Sequence, residues 1–183
     1  MALVVKKPVV MVGMMGAGKS AVGRALATRL GVPFLDSDDE IEAAAAMTVA
    51  EVFERDGEAF FRNREAEVIA RLLATGPCVL STGGGAYLRA ENRDRIHELG
   101  VAVWLRADIE LLWERVRHKS TRPLLRTPDP KGTLIKLYEA RVGTYAKAEL
   151  VVDAHPGYSI ANMTAQVIRV LKTRPDVLAE TEE

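Results

Sequence analysis

Gly13-Met14-Met15-Gly16-Ala17-Gly18-Lys19-Ser20 has the spacing G-x-x-x-x-G-K-S. It sits between the apolar run Val9-Val10-Met11-Val12 and an Ala/Leu-rich, helix-forming stretch. That context, strand then loop then helix, is what a phosphate-binding loop requires. The glycines let the backbone curl so that successive N–H groups converge on one anion. The helix N-terminus behind them adds a favourable dipole for negative charge, felt from Gly16, Ala17 and Gly18 through Ala21. Lys19 supplies a point charge for the β- and γ-phosphates of a nucleotide such as ATP, and Ser20 a hydroxyl ligand for Mg²⁺. The acceptor of the phosphoryl group is left open: water, a protein or a small molecule.

Three further groups of residues bear on that question. Asp36-Ser37-Asp38-Asp39-Glu40 follows Val32-Pro33-Phe34-Leu35. Carboxylates at the C-terminal end of a strand lie on the edge where open α/β sheets bind ligands. Helix capping and first-turn acid preference account for Asp39, Glu40 and Glu42, and account less well for Asp36. No apolar run ends in a metal-binding aspartate of the usual second nucleotide motif. Asp36 is therefore the candidate Mg²⁺ carboxylate, with Asp38 in reach of an acceptor hydroxyl. Gly83-Gly84-Gly85 ends the run Cys78-Val79-Leu80-Ser81-Thr82. Three consecutive glycines cost backbone entropy, so close approach or unusual torsions are expected there. Arg62 and Arg141 fall on inward helix faces. Arg141 lies four residues from Leu137 and from Tyr145, and Arg62 shares a face with Ile69 and Leu73. A buried guanidinium needs a partner. A substrate carboxylate gripped by two bidentate forks is one answer. For Arg62 the other is a structural pair with Glu58 or Glu65.

Positioning these groups falls to short apolar runs alternating with longer helical patterns. Strands are expected near 9–12, 32–35, 78–81, 101–105 and 150–152, and their unbroken apolarity suits a parallel sheet buried on both faces. Helices are expected near 19–30, 49–55, 58–74, 90–98, 108–117, 132–147 and 159–173. Thr48-Val49-Ala50-Glu51 has the form of a capping box. The pattern predicts one three-layer αβα domain with a five-stranded parallel sheet, its core spanning 8–173. Two segments interrupt it: an insert of extra helices over 36–75, and a basic, proline-containing stretch over about 115–131. The second carries Arg115, Arg117, Lys119, Arg122, Arg126 and Lys131 and is expected to form a lid over phosphates. Residues 1–7 and the tail 174–183 are expected to fray.

Bulk composition narrows the class. The chain has 183 residues, and 25 Lys+Arg balance 25 Asp+Glu. Zero net charge gives no pointer to nucleic acid or a membrane surface. No apolar run approaches the roughly 20 residues of a membrane span, and no long apolar stretch opens the chain. A cytoplasmic protein is the expectation. The single cysteine, Cys78, reads as a buried strand residue.

Taken in this order and spacing, the motifs resemble the shikimate kinase family. They are Gly13–Ser20, Asp36-Ser37-Asp38, Phe61-Arg62 with Glu65, Gly83-Gly84-Gly85, Arg122-Pro123-Leu124-Leu125, and Arg141 ahead of Tyr145. The similarity runs from about Val9 to Arg169. It implies that Gly16 to Ser20 bind ATP phosphates, with Ser20 and Asp36 organising Mg²⁺. Asp38 would contact the shikimate hydroxyls, Arg62 and Arg141 its carboxylate, and Gly84 would contribute backbone. Lys19 and Arg122 would face the transferring phosphate, and Arg115 and Pro156 would enclose adenine. A monomer is implied. Met14 and Met15 stand where the family often has Leu-Pro. The segment 153–157 lacks an arginine that relatives often carry, and His155 receives no role. Another small-metabolite kinase, such as a gluconate kinase, is the nearest alternative. A nucleotide switch would need a base-reading motif such as N-K-x-D, which is missing.

Overall fold

The computed structural model describes residues 2–118 and 126–182. Five parallel strands form the central sheet: β2 (Val9–Val12), β3 (Phe34–Asp36), β4 (Val79–Ser81), β5 (Val101–Arg106) and β6 (Leu150–Asp153). Their order is β3-β4-β2-β5-β6. The central strand β2 is flanked in parallel by β4 (Val10 against Leu80) and β5 (Val10 against Ala102). All four residues of β2 are buried, as two covered faces require. Cys78 is buried beside them. The chain leaves β2 toward β3 on one side and later fills β5 and β6 on the other. The loop after β2 thus lies where the strand order reverses, the place open α/β sheets use for ligands.

The helices are α1 (Lys19–Leu30), α2 (Ser37–Ala45), α3 (Val49–Leu73), α4 (Ala90–Leu99), α5 (Ile109–Val116), α6 (Pro130–Tyr145) and α7 (Ile160–Leu171). The expected helices 49–55 and 58–74 join into α3 across a kink at Gly57, whose φ of 85° only glycine takes without strain. Thr48 caps α3 by accepting from the Glu51 N–H at 3.1 Å, the first half of the expected capping box. The Glu51 carboxylate accepts from the Thr48 hydroxyl instead of reaching back to the backbone. α6 starts at Pro130, two residues earlier than expected, because proline suits the first helical turn and Asp129 caps it. Among the described residues no helix is long and apolar enough to cross a membrane.

One expectation fails. Residues 2–5 and 178–181 are paired and not frayed: β1 (Ala2–Val5) runs antiparallel to β7 (Leu178–Thr181). Leu178 and Val177 are buried there, and Val5 joins the main core. The Arg174 guanidinium holds the tail through Glu149 at 2.8 Å and Asp176 at 2.8 Å. Apolar burial and a hydrogen-bonded ladder offset the ordering cost that leaves most chain ends loose.

Candidate active site

The loop after β2 turns at Gly16 (φ 81°) and Gly18 (φ 95°), torsions that fit glycine. A side chain at Gly16 is also excluded by space, since a Cβ there would come within 2.7 Å of Val116. Lys19 lies along this loop, its Nζ donating to the carbonyls of Gly13 (2.8 Å) and Met14 (2.9 Å). The Ser20 hydroxyl donates to Asp36 Oδ2 at 3.2 Å and lies 3.4 Å from the Ser81 hydroxyl. Against the expectation that capping accounts less well for Asp36 than for the acids after it, Asp36 is the N-cap of α2: its Oδ1 accepts from the N–H groups of Asp38 and Asp39. One carboxylate thus both starts a helix and faces the serine. Ser81 ends β4, beside the central strand, with a hydroxyl and not a carboxylate.

Two cavities open at this edge of the sheet. The larger, about 610 Å³, is bounded by Gly16, Ala17, Gly18, Lys19, Ser20 and Ala21 of the loop and by Asp36, Asp38 and Arg115. Its far wall is Tyr158, Ile160 and Met163. Arg115 sits at the end of α5 and donates to the Gly16 carbonyl at 3.0 Å. Pro156 is exposed and does not line this cavity, whereas its neighbours Tyr158 and Ile160 do; a proline's position in a loop before a helix was legible, and which side chain turns inward was not. Arg122, with Lys119, lies outside the described residues.

The smaller cavity, about 290 Å³, is walled by Phe53, Phe61, Arg62 and Glu65 of α3, by Gly83, Gly84 and Gly85, and by Arg141 of α6. Met15, Asp38, Gly83 and Gly84 line both cavities. Asp38 Oδ1 stands at that seam, buried and without a hydrogen-bond partner among the described residues. Burial, reinforced by the nearby Asp36 charge, raises the Asp38 carboxyl to about 6 from its ordinary 3.8.

The three glycines are explained by space, not by torsion. A Cβ on Gly83 would lie 3.0 Å from Asp38 Oδ1, and one on Gly84 3.2 Å from Arg141 Nη1. One on Gly85 would lie 2.6 Å from Arg62 Cζ. Each glycine clears room for one polar side chain of the smaller cavity.

The two arginines differ in their partners. Arg62 Nη1 donates to Glu65 Oε1 at 2.9 Å, and Glu58 lies 3.7 Å away. Both expected structural partners of Arg62 are therefore present, and its guanidinium still faces the cavity. Burial pushes Glu65 up to about 7, against the opposing charge of Arg62. Arg141 is 7% exposed and forms no ion pair among the described residues. An unpaired buried cation is costly, and it is tolerated where a ligand supplies the counter-charge. Glu65's pairing with Arg62 was legible from the i,i+3 spacing. Tyr158 and Ile160 carried no signal beyond their nearness to the α7 cap.

Phosphate loop, serine–carboxylate pair and a cationic second cavity together define a P-loop kinase acting on a small anionic acceptor. A family model described as Shikimate kinase matches residues 15–172. A shikimate kinase of Ruegeria pomeroyi is 67% identical over 172 residues, covering 94% of this chain and 88% of the relative. One from Cereibacter sphaeroides is 62% identical, covering 97% and 88%. The solved shikimate kinase of Acinetobacter baumannii in complex with shikimate superposes with a TM-score of 0.84 at 36% identity, covering 92% of each chain. The chain belongs to the shikimate kinase family and is an ATP-dependent phosphotransferase. A gluconokinase from Sinorhizobium meliloti is similar at a TM-score of 0.58 and 21% identity over 93% of this chain, which shows a common fold alone.

Proposed function

We propose that this enzyme transfers the γ-phosphoryl group of ATP to the 3-hydroxyl of shikimate, with the nucleotide in the larger cavity and shikimate in the smaller. The observation that carries this assignment is Asp38 Oδ1, orphaned at the seam of the two cavities. A hydroxyl reaching from the smaller cavity would meet that oxygen while facing the phosphate loop, the geometry in-line transfer needs. Asp38 orients the hydroxyl and takes its proton as the oxygen attacks phosphorus and the β–γ bridging bond breaks. Arg62 and Arg141 hold the carboxylate, so the ring is anchored at the end away from the reaction.

Lys19 leaves the carbonyls of Gly13 and Met14 for phosphate oxygens when ATP binds. Ser20 Oγ and Asp36 Oδ2, hard oxygen donors 3.2 Å apart, fit an Mg²⁺ ion that takes its remaining ligands from water and phosphate. Bound there, Mg²⁺ would offset charge on the nucleotide oxygens. By resemblance, Arg122 serves the same transition state from a lid over about 115–131, and 36–75 is the acceptor-binding insert. Tyr158 and Ile160 replace Pro156 as the wall facing Arg115 across the base. The enzyme acts in the cytoplasm as a monomer, without nucleic acid or membrane partners. ADP release measured with shikimate, with gluconate and with no acceptor tests this. Strong stimulation by shikimate alone is expected, and equal stimulation by gluconate would overturn it.

A further inference from the structure

Tyr145 ends α6 one turn beyond Arg141 and is 1% exposed. Its hydroxyl donates to the carbonyl of Gly84. That carbonyl lies between two already engaged by the short 3-10 helix at Ala86–Leu88. Gly83 accepts from the Ala86 N–H at 3.1 Å, and Gly85 from the Leu88 N–H at 3.2 Å. Tyr145 therefore completes the hydrogen bonding of the three-glycine turn from a different helix. The Arg141 guanidinium interacts with the same hydroxyl. A Cβ on Gly84 would stand 3.2 Å from Arg141 Nη1 and 3.7 Å from Tyr145 Oη, so all three groups share one spot. The Tyr145 ring is seated against Trp104 of β5, with centroids 6.1 Å apart.

A phenolic hydroxyl has one proton to donate and lone pairs to accept with. Here the proton goes to Gly84, which leaves the lone pairs available to the neighbouring Arg141. A carboxylate in that place would also orient the arginine, and it would cancel its charge, as Glu65 does in part for Arg62. A neutral hydroxyl orients without cancelling. Resting on the assignment of the smaller cavity to shikimate, we infer that Tyr145 is a positioning residue for the acceptor. Its hydroxyl locks the Gly84 turn and the Arg141 guanidinium in one frame and leaves the cation's charge for the substrate carboxylate.

Tyr145→Phe keeps the ring and its contact with Trp104 and removes only the hydroxyl. Loss of one buried, satisfied hydrogen-bond junction is expected to raise KM for shikimate about tenfold. The expected kcat and KM for ATP stay within twofold, since neither the phosphate loop nor Asp38 is touched. Calorimetric shikimate binding completes a double-mutant cycle with Arg141→Ala. In the Arg141→Ala background, Tyr145→Phe is expected to weaken binding by less than twofold. Leu134→Ala, buried on the same helix, serves as the comparison: it lowers Tm without a selective rise in the shikimate KM. A shikimate KM unchanged by Tyr145→Phe, a parallel rise in the KM for ATP, or full multiplicativity with Arg141→Ala would overturn the inference. No shikimate-stimulated ADP release by the unmodified enzyme overturns the proposed function and this inference with it. Robust release with an unaffected Tyr145→Phe variant overturns the inference alone.

Discussion

Asp38→Asn is expected to make this protein more stable and nearly inactive. In the folded chain the Asp38 carboxyl titrates near 6, above its ordinary 3.8, chiefly because burial strips water from the charged form. Between about pH 4 and pH 6 the folded state therefore binds more protons at this site than the unfolded state does. Stability falls as pH rises through that window, and the loss is complete above pH 6. Roughly two units at about 1.4 kcal/mol each set a ceiling near 3 kcal/mol on the cost of the ionised group. Asparagine has the same shape and no charge. Urea or thermal unfolding at pH 8 should show Asp38→Asn more stable by about 1–3 kcal/mol, a rise in Tm of several degrees for a chain of this size. The difference should shrink as pH falls and vanish near pH 4. Glu65 titrates in both proteins, and because the Asp38 charge helps hold its carboxyl up, Asp38→Asn should also ease Glu65 down, which adds stability at pH 8 in the same direction. Turnover should fall at least a hundredfold with KM for ATP little changed, and kcat/KM of the parent should decline below about pH 6. A variant no more stable than the parent at pH 8, or a gap that does not narrow with acid, would refute the reasoning.

Three other outcomes can be checked directly. Arg141→Ala should raise the shikimate KM more than Arg62→Ala does, because Arg62 is already partly neutralised by Glu65 while Arg141 has no ion pair among the described residues; steady-state kinetics on the two variants decides it, and equal effects would count against the difference in charge. Gly85→Ala places a Cβ 2.6 Å from Arg62 Cζ, so the guanidinium must shift, and the shikimate KM should rise about tenfold while ATP binding, followed by calorimetry, is unaffected. Leu178→Ala removes a side chain that is 2% exposed between the terminal strands and the core, and should cost about 2–4 kcal/mol in urea unfolding with kcat unchanged.

The parts of this fold that were legible are those written in local pattern. Val9–Val12 could be a buried strand and little else, and G-x-x-x-x-G-K-S fixes the loop after it. The inward faces of Arg62 and Arg141 followed from 3.6-residue periodicity. The terminal strands escaped notice because β1 and β7 are four residues each and find one another from opposite ends of the chain, a pairing no window of sequence contains. Asp36 showed its strand-end position but not that capping α2 and facing Ser20 could be done by its two oxygens separately. For Gly83-Gly84-Gly85, close approach and unusual torsion were both open. Only the placement of Asp38, Arg141 and Arg62 selects the first. The far side of the larger cavity was least legible, since Tyr158 comes from the loop before α7 and Ile160 from its first residue, positions that no periodicity sets.

The three glycines also say something about how this enzyme can change over generations. Every other L-amino acid brings a Cβ, so each of positions 83, 84 and 85 has no substitute that leaves its polar neighbour in place. A substitution asks Asp38 or Arg141 to give by a few tenths of an ångström at positions 83 and 84, and the Arg62 guanidinium to move further at position 85. A lineage that altered its acceptor would have to move Asp38, Arg62 or Arg141 first and release the matching glycine afterwards. The wall of Phe53 and Phe61 is tied to the same charge, because both rings lie under the Arg62 guanidinium, 5.9 and 5.2 Å from its Cζ.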